Sequence, residues 1–378
     1  MTKCNPANER VKRKYLLFLK VAKGRGEESI DAAAASIDRF DEFNRRKDFK
    51  AYHFEQARAF QAHLATSTNA QTGAPLSAST VNATLAALKA FFTWLADQPG
   101  YASRIKYSGA EYFSTPGSVS RVATARRFKP CATLDDVRAM LAAIPDEGEI
   151  AKRDRAIIAF AILTGARDKA IVSFRLKHVD IARKLVQHDP REVHVKQAKT
   201  FTTWFFPVGD DFLRVVVDWI LFLRERKEFG PDDPLFPKTR VAQVEHLGFR
   251  AVGLDRAPWA NANAVRDIFR EACARAGLPY HNPHSFRNSL VQFAYDLKLD
   301  PEAFKAWSQN LGHESVVTTF SSYGTIAPAR QGEIFRRLSD KPVSRDVLLN
   351  ADLLRQIADQ IQQASDFGKI CDDPFKCR

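Results

Sequence analysis

Apolar side chains recur at spacings of three and four through the first hundred residues, and only one later stretch alternates at a spacing of two. That patterning predicts a mainly α fold, because each such stripe needs a helix to bring it onto one face. Glu28 to Lys47 lines up Ile30, Ala34, Ile37, Phe40 and Phe43, and Phe54, Ala57, Phe60 and Leu64 continue the pattern. Ser79 can cap a further helix carrying Val81, Leu85, Leu88, Phe92 and Leu95. With the segment around Tyr15 to Val21, these predict a bundle of about four helices.

The pattern breaks from Pro99 to Pro130, where Pro99-Gly100, Pro116-Gly117 and scattered serines interrupt it. The basic residues there are Arg104, Lys106, Arg121, Arg126, Arg127 and Lys129, against one acid, Glu111. Such a segment can follow a phosphate backbone, with Tyr101, Tyr107 and Tyr112 as stacking surface, or it can be an ordinary solvated linker. The formal net charge of +13 over 378 residues points the same way, toward a polyanion. The expected division is a helical domain at 1–115, a basic linker at 116–130, a second domain at 131–345, and a terminal helix and tail at 346–378.

Beyond the break, Thr133-Leu-Asp-Asp136 reads as a helix start with acids in its first turn. Arg155 to Leu163 reads as the most apolar helix, ending at Thr164-Gly165. Leu185 to Val208 turns to β-branched and alternating residues, which predicts one small antiparallel sheet with its turn near Thr200 to Thr203. Helices are expected again at Asp211–Lys227, Asn261–Ala276, His284–Leu297 and Glu302–Leu311. A last stripe of Val347, Leu348, Leu354, Ile357 and Ile361 predicts a terminal helix that docks in cis or on a neighbouring protomer.

Several chemistries find no support in the sequence. The longest strictly apolar run, Ala156 to Leu163, falls far below the ~18–20 residues of a membrane span. Met1 to Lys14 lacks the apolar stretch of a secretory leader, so a cytoplasmic protein is expected. Five scattered cysteines suggest reduced thiols and no disulfide framework. His281, His284 and His313 lack a fourth ligand and a regular spacing for zinc. Neither a phosphate-binding Gly-x-x-x-x-Gly-Lys nor an acidic pair for two-metal catalysis is present, and no cofactor or metal is expected.

Four short segments set unusual polar residues beside apolar helices: Thr164-Gly165-Ala166-Arg167, Lys199-Thr200, His284-Ser285-Phe286-Arg287, and Leu311-Gly312-His313 followed by Tyr323. Singly, each has an ordinary structural explanation. Taken in order, the set resembles the tyrosine recombinases, the phage integrase family, and the order of a helical bundle, a basic linker and a catalytic domain resembles that family too. The resemblance implies a SAM-like core-binding bundle, a catalytic domain of the DNA breaking-rejoining type, and a site of Arg167, Lys199, His284, Arg287 and His313 with Tyr323 as nucleophile. Lys196 competes with Lys199 for the hairpin position. Ala170 stands three positions after the first arginine, where the family often carries an acid, and Asn288 follows the second, where histidine is common.

These residue types suit a phosphodiester. Two guanidiniums can fork onto its non-bridging oxygens and neutralise charge gathering at phosphorus. A phenol attacks, His284 takes or steadies its proton, and a lysine protonates the departing 5′ oxygen. His313 is expected to hydrogen-bond the phosphate or steady the pentavalent transition state. A 3′-phosphotyrosine keeps the energy of the broken bond, so rejoining needs neither ATP nor metal. The implied function is site-specific recombination of double-stranded DNA by a synaptic homo-tetramer, with room for accessory DNA-bending proteins. A type IB topoisomerase-like relaxing enzyme and a catalytically inactive DNA-binding regulator of the same fold are the alternatives.

Overall fold

The computed structural model describes residues 4–69, 72–115, 131–195, 199–244, 248–322, 326, 328–339, 354–356 and 358. The chain divides into two compact units, Met1–Arg127 and Phe128–Arg378. Helices α1 (Pro6–Val21), α2 (Glu27–Phe43), α3 (Phe54–Thr66) and α4 (Ala78–Leu95) build the first unit. Its core is unusually aromatic. Phe40 is fully buried and meets the rings of Phe60, Phe92 and Phe113 edge to face, at 5.2, 5.4 and 5.3 Å between centroids. That geometry sets the positive ring edge against a negative ring face.

Residues 99–115 depart from the expected flexible segment. Tyr101, Ile105, Ala110 and Phe113 are buried in the bundle, and α5 (Tyr107–Ala110) leads into a single 3-10 turn, Glu111–Phe113. Proline, glycine and serine mask an apolar spacing here, and long-range packing overrides the local breakers. Tyr101 is therefore core rather than stacking surface, while Tyr107, Tyr112, Arg104 and Lys106 are exposed. Arg121, Arg126, Arg127 and Lys129 lie outside the described residues.

In the second unit Thr133 caps α6 (Leu134–Ala143) through a reciprocal pair with Asp136, as the sequence predicts. Helix α7 (Glu149–Thr164) is buried on all sides from Ala156 onward. A helix that is apolar all round belongs at the centre of a domain, and α6, α9 (Asp210–Leu221), α10 (Asn263–Arg275) and α11 (Ser285–Asp296) pack around it. Helices α12 (Pro301–Asn310), α13 (Val316–Ser322) and α14 (Pro328–Ser339) follow, with the one-turn α8 (Asp168–Ile171) just after α7.

The sheet has three antiparallel strands, β1 (Val179–Asp180), β2 (Leu185–His188) and β3 (Phe201–Trp204), in that order. Leu185 pairs with Trp204 and His188 with Phe201, so Thr202 and Thr203 lie inside β3. The expected turn at Thr200–Thr203 is thus misplaced: the β-branched residues there are strand residues, and the connection precedes them. A second hairpin, β4 (Thr239–Val244) with β5 (Gly248–Leu254), also escaped the sequence reading. Most of β5 is exposed, including Phe249, so burial imposes no clean alternation on it. Of the terminal stripe, Leu354 is exposed, and Val347, Leu348, Ile357 and Ile361 lie outside the described residues.

Candidate active site

The end of α7 determines where the first arginine goes. Gly165 stops the helix in the left-handed conformation at φ 59°, its N–H donating to the Ala161 carbonyl. A side chain on Gly165 would begin 2.8 Å from Leu311 and 3.0 Å from Leu290, so only glycine lets these segments meet. The chain then leaves extended through Ala166, and Arg167 precedes α8. Its half-buried guanidinium makes no hydrogen bond or ion pair among the described residues. Asp168 is unavailable to it, because that carboxylate pairs with Arg266 at 2.7 Å.

Arg287 sits in the first turn of α11 and is only 3% exposed. Its Nη1 donates to the Gly165 carbonyl at 2.6 Å, and its Nη2 donates to the Leu311 carbonyl at 2.6 Å and to His313 Nε2 at 2.7 Å. These three acceptors are neutral, so they fix the guanidinium plane without cancelling its charge. One side chain thereby ties the ends of α7 and α12 to the segment that carries His313. Gly312 makes this close approach possible: at φ 71° it lies against Phe201, whose ring would be 2.8 Å from an added Cβ.

Because guanidinium is donor only, His313 Nε2 accepts and its proton resides on Nδ1. Nδ1 then donates to Thr319 Oγ1 at 2.8 Å, and the Thr319 hydroxyl meets Ser308 Oγ at 2.7 Å. Burial pushes the His313 pKa down to about 3, with Arg287, Arg167, His284 and Lys199 adding to the effect. The imidazole is therefore neutral, with its N–H already engaged. Sequence reasoning missed Thr319, which looks in sequence like any polar residue of a short helix.

Lys199 lies two residues before β3 and pairs with Glu314, the neighbour of His313. Its competitor Lys196 lies outside the described residues, as does Tyr323. His284 immediately precedes α11, makes no side-chain capping bond, and is exposed. Arg167, Lys199, His284, Arg287 and His313 thus converge on one place, four of them acting electrostatically on the fifth. A second buried imidazole, His188 on β2, stands behind the arginines, and nothing in its sequence setting marks it.

A helical bundle followed by a mainly helical unit with a three-stranded sheet, and cations gathered round a buried histidine, agrees with the fold that the sequence resemblance implies. Residues 132–330 match the phage integrase family, and residues 17–100 match the N-terminal SAM-like domain of phage integrases. The chain belongs to this family, the tyrosine recombinases. Tyrosine recombinase XerC of Yersinia pestis is 26% identical over 71% of this chain and 75% of its own length; XerC of Escherichia coli O157:H7 is 28% identical over 65% and 69%. Among solved structures, the Tn1549 transposon integrase in complex with a circular intermediate DNA shares the fold with a TM-score of 0.58 at 13% identity, over 87% of this chain and 99% of that one. A lambda integrase dimer bound to a core site gives 0.57 at 13% identity, over 83% and 94%. A lambda integrase tetramer bound to a Holliday junction gives 0.53 at 14% identity, over 81% and 77%.

Proposed function

We propose that this recombinase cuts and rejoins duplex DNA at specific sites through a covalent 3′-phosphotyrosine on Tyr323. The observation that carries the reading is the pair of guanidiniums, one buried and fixed by neutral acceptors, the other free of hydrogen-bond partners among the described residues. Two forks of positive charge suit the two non-bridging oxygens of a phosphodiester. Arg287 is pre-oriented and Arg167 has its donors open for substrate, so neither needs reorganisation as charge builds at phosphorus.

In the proposed sequence of steps, the Tyr323 oxygen attacks phosphorus and the bond to the 5′ oxygen breaks. Lys199 supplies the proton to that leaving oxygen, and the incoming 5′ hydroxyl of the partner strand later reverses both events. Lys199 stays paired with Glu314 until a phosphate replaces the carboxylate. His284, exposed at the mouth, is assigned the tyrosine proton. With its proton on Nδ1 serving Thr319, His313 is assigned to hold Arg287 in place and so to steady the transition state.

Arg104 and Lys106, with Arg121, Arg126, Arg127 and Lys129, are assigned to the duplex backbone, where they supply affinity without base readout. A tetramer on two synapsed sites is the working assembly, supported by the lambda integrase tetramer that shares the fold. Accessory DNA-bending proteins are a further class of partner in this reading.

The test uses a nicked suicide duplex carrying a core site selected by binding from a random-sequence duplex pool. A covalent protein–DNA adduct is expected that survives EDTA and is absent in Tyr323→Phe. An adduct persisting in that variant places the nucleophile elsewhere. Relaxation of plasmid by monomers without recombinant products replaces recombination with a topoisomerase activity.

A further inference from the structure

His188 is 3% exposed and lies deep in the second unit, its ring stacked on Phe201 at 4.0 Å and 10° and edge-on to Phe174 at 5.1 Å. Its hydrogen bonding determines which nitrogen carries the proton. The Thr203 hydroxyl donates its single proton to the Asn310 carbonyl at 3.0 Å. The Thr203 oxygen, 3.2 Å from His188 Nε2, must then accept, which places the imidazole proton on Nε2. Nδ1 is left as a bare lone pair, and it is buried without a hydrogen-bond partner. A buried lone pair left in this state is unfavourable unless a donor reaches it.

The surroundings point to that donor. His188 lines a small, partly open cavity together with Arg167, Ala170, Thr203 and Arg287. The backbone N–H groups of Gly165, Ala166, His194 and Val195 on the same wall are all committed, to Ala161, Thr164, Ser173 and Val193. Arg167 has its guanidinium N–H groups uncommitted among the described residues, and Ala170, opposite, offers no polar side chain. The cavity measures about 10 Å³, which is of the order of one water molecule.

Resting on the recombinase reading above, we propose that His188 is a positioning residue for the first arginine: its Nδ1 accepts a hydrogen bond from one water in the cavity, and that water accepts from the Arg167 guanidinium. A carboxylate in this place would orient the guanidinium equally well but would cancel charge needed at the phosphate. An uncharged imidazole orients it and leaves the charge intact. Burial first, then the fields of Arg287, Arg167 and His178, push the His188 pKa down to about 3, so the ring stays a neutral acceptor throughout the working range of pH.

The nitrogen assignment makes the test specific. Asparagine at position 188 keeps an acceptor near Nδ1, glutamine keeps a donor near Nε2, and phenylalanine keeps only the ring. With the full-length protein and the nicked suicide duplex, His188→Gln and His188→Phe are expected to slow single-turnover cleavage by on the order of 10- to 100-fold, the cost of a misplaced reacting group. DNA affinity should stay within a few-fold, and His188→Asn should recover most of the rate. The cycle with Arg167→Lys supplies the second readout: in that background His188→Gln should add little further loss, because the two act as a unit. Wild-type cleavage rates in a folded His188→Gln protein, or equal loss in the Asn and Gln variants, overturn the proposal while the recombinase reading stands. A wild-type protein that forms no adduct overturns both. Nitrogen-15 NMR of the imidazole provides an independent arm, in which a protonated Nδ1 at neutral pH also overturns the assignment.

Discussion

Lowering the pH from 7.5 to 5.0 should weaken the second unit through two histidines that cannot take a proton where they sit. His188 and His313 are 3% and 6% exposed. Burial, the largest cause for each, with the neighbouring arginines, takes both from an ordinary 6.5 to about 3. A depressed histidine contributes its stability in full above pH 6.5 and loses it progressively as the pH falls toward 3, because the unfolded chain binds the proton and the folded one does not. At pH 5.0 the gap is about 1.5 pH units, or about 2 kcal/mol for each ring at 1.36 kcal/mol per unit. The assay is urea denaturation at the two pH values for the wild type, His188→Gln and His313→Gln. Carboxylates and exposed histidines contribute equally to all three and cancel in the differences. Each variant, whatever its stability at pH 7.5, should lose about 2 kcal/mol less than the wild type on acidification. If the variants track the wild type across this range, the rings titrate in the folded protein and the neutral-acceptor argument for both fails.

Gly312→Ala should destabilise by about 1–3 kcal/mol, since it forces a Cβ against Phe201 at a left-handed backbone position, and Phe201→Leu in the same chain should restore part of the loss in urea midpoint. Arg287→Lys keeps the charge but cannot span the Gly165 and Leu311 carbonyls and His313 together; single-turnover cleavage should fall by on the order of 100-fold with binding little changed, and equal loss of binding would reduce Arg287 to a DNA contact. Glu314→Gln should leave thermal stability unchanged, because its carboxylate is largely exposed. Freed of it, Lys199 should strengthen DNA binding a few-fold at low salt, and an unchanged affinity would show that the ion pair does not compete with phosphate. DNA affinity of the wild type should fall steeply and log-linearly between low and moderate salt, as expected when the basic residues release counterions.

Much of the recombinase was written locally. Helical stripes, the cap at Thr133 and the stop at Gly165 follow from the spacing of apolar residues and from single-residue stereochemistry, which act over a few positions and can be read in order. Arg167, Lys199, Arg287 and His313 each have an ordinary explanation singly, and they stood out only because their order along the chain resembles that of the tyrosine recombinases. The weakly patterned parts were illegible for a physical reason. The exposed hairpin β4–β5 buries neither face fully, the segment 99–115 hides its apolar contacts among helix breakers, and Thr202 and Thr203 are as good in a strand as in a turn.

What the sequence determined by itself, then, is the inventory and its order: two units of helices, the first small sheet, and a series of polar residues whose order resembles that of the tyrosine recombinases. What only tertiary structure decided is how those groups are held. The carbonyls of Gly165 and Leu311 lie 122 and 24 residues from the Arg287 that they hold, and even Thr319, six residues from His313, meets it only through the turn between α12 and α13. The tautomers of His188 and His313 depend on their hydrogen bonds and on burial. Whether an imidazole is a proton carrier or a neutral prop is therefore a property of the packed interior, which forms only when α7, α11, α12 and the sheet meet.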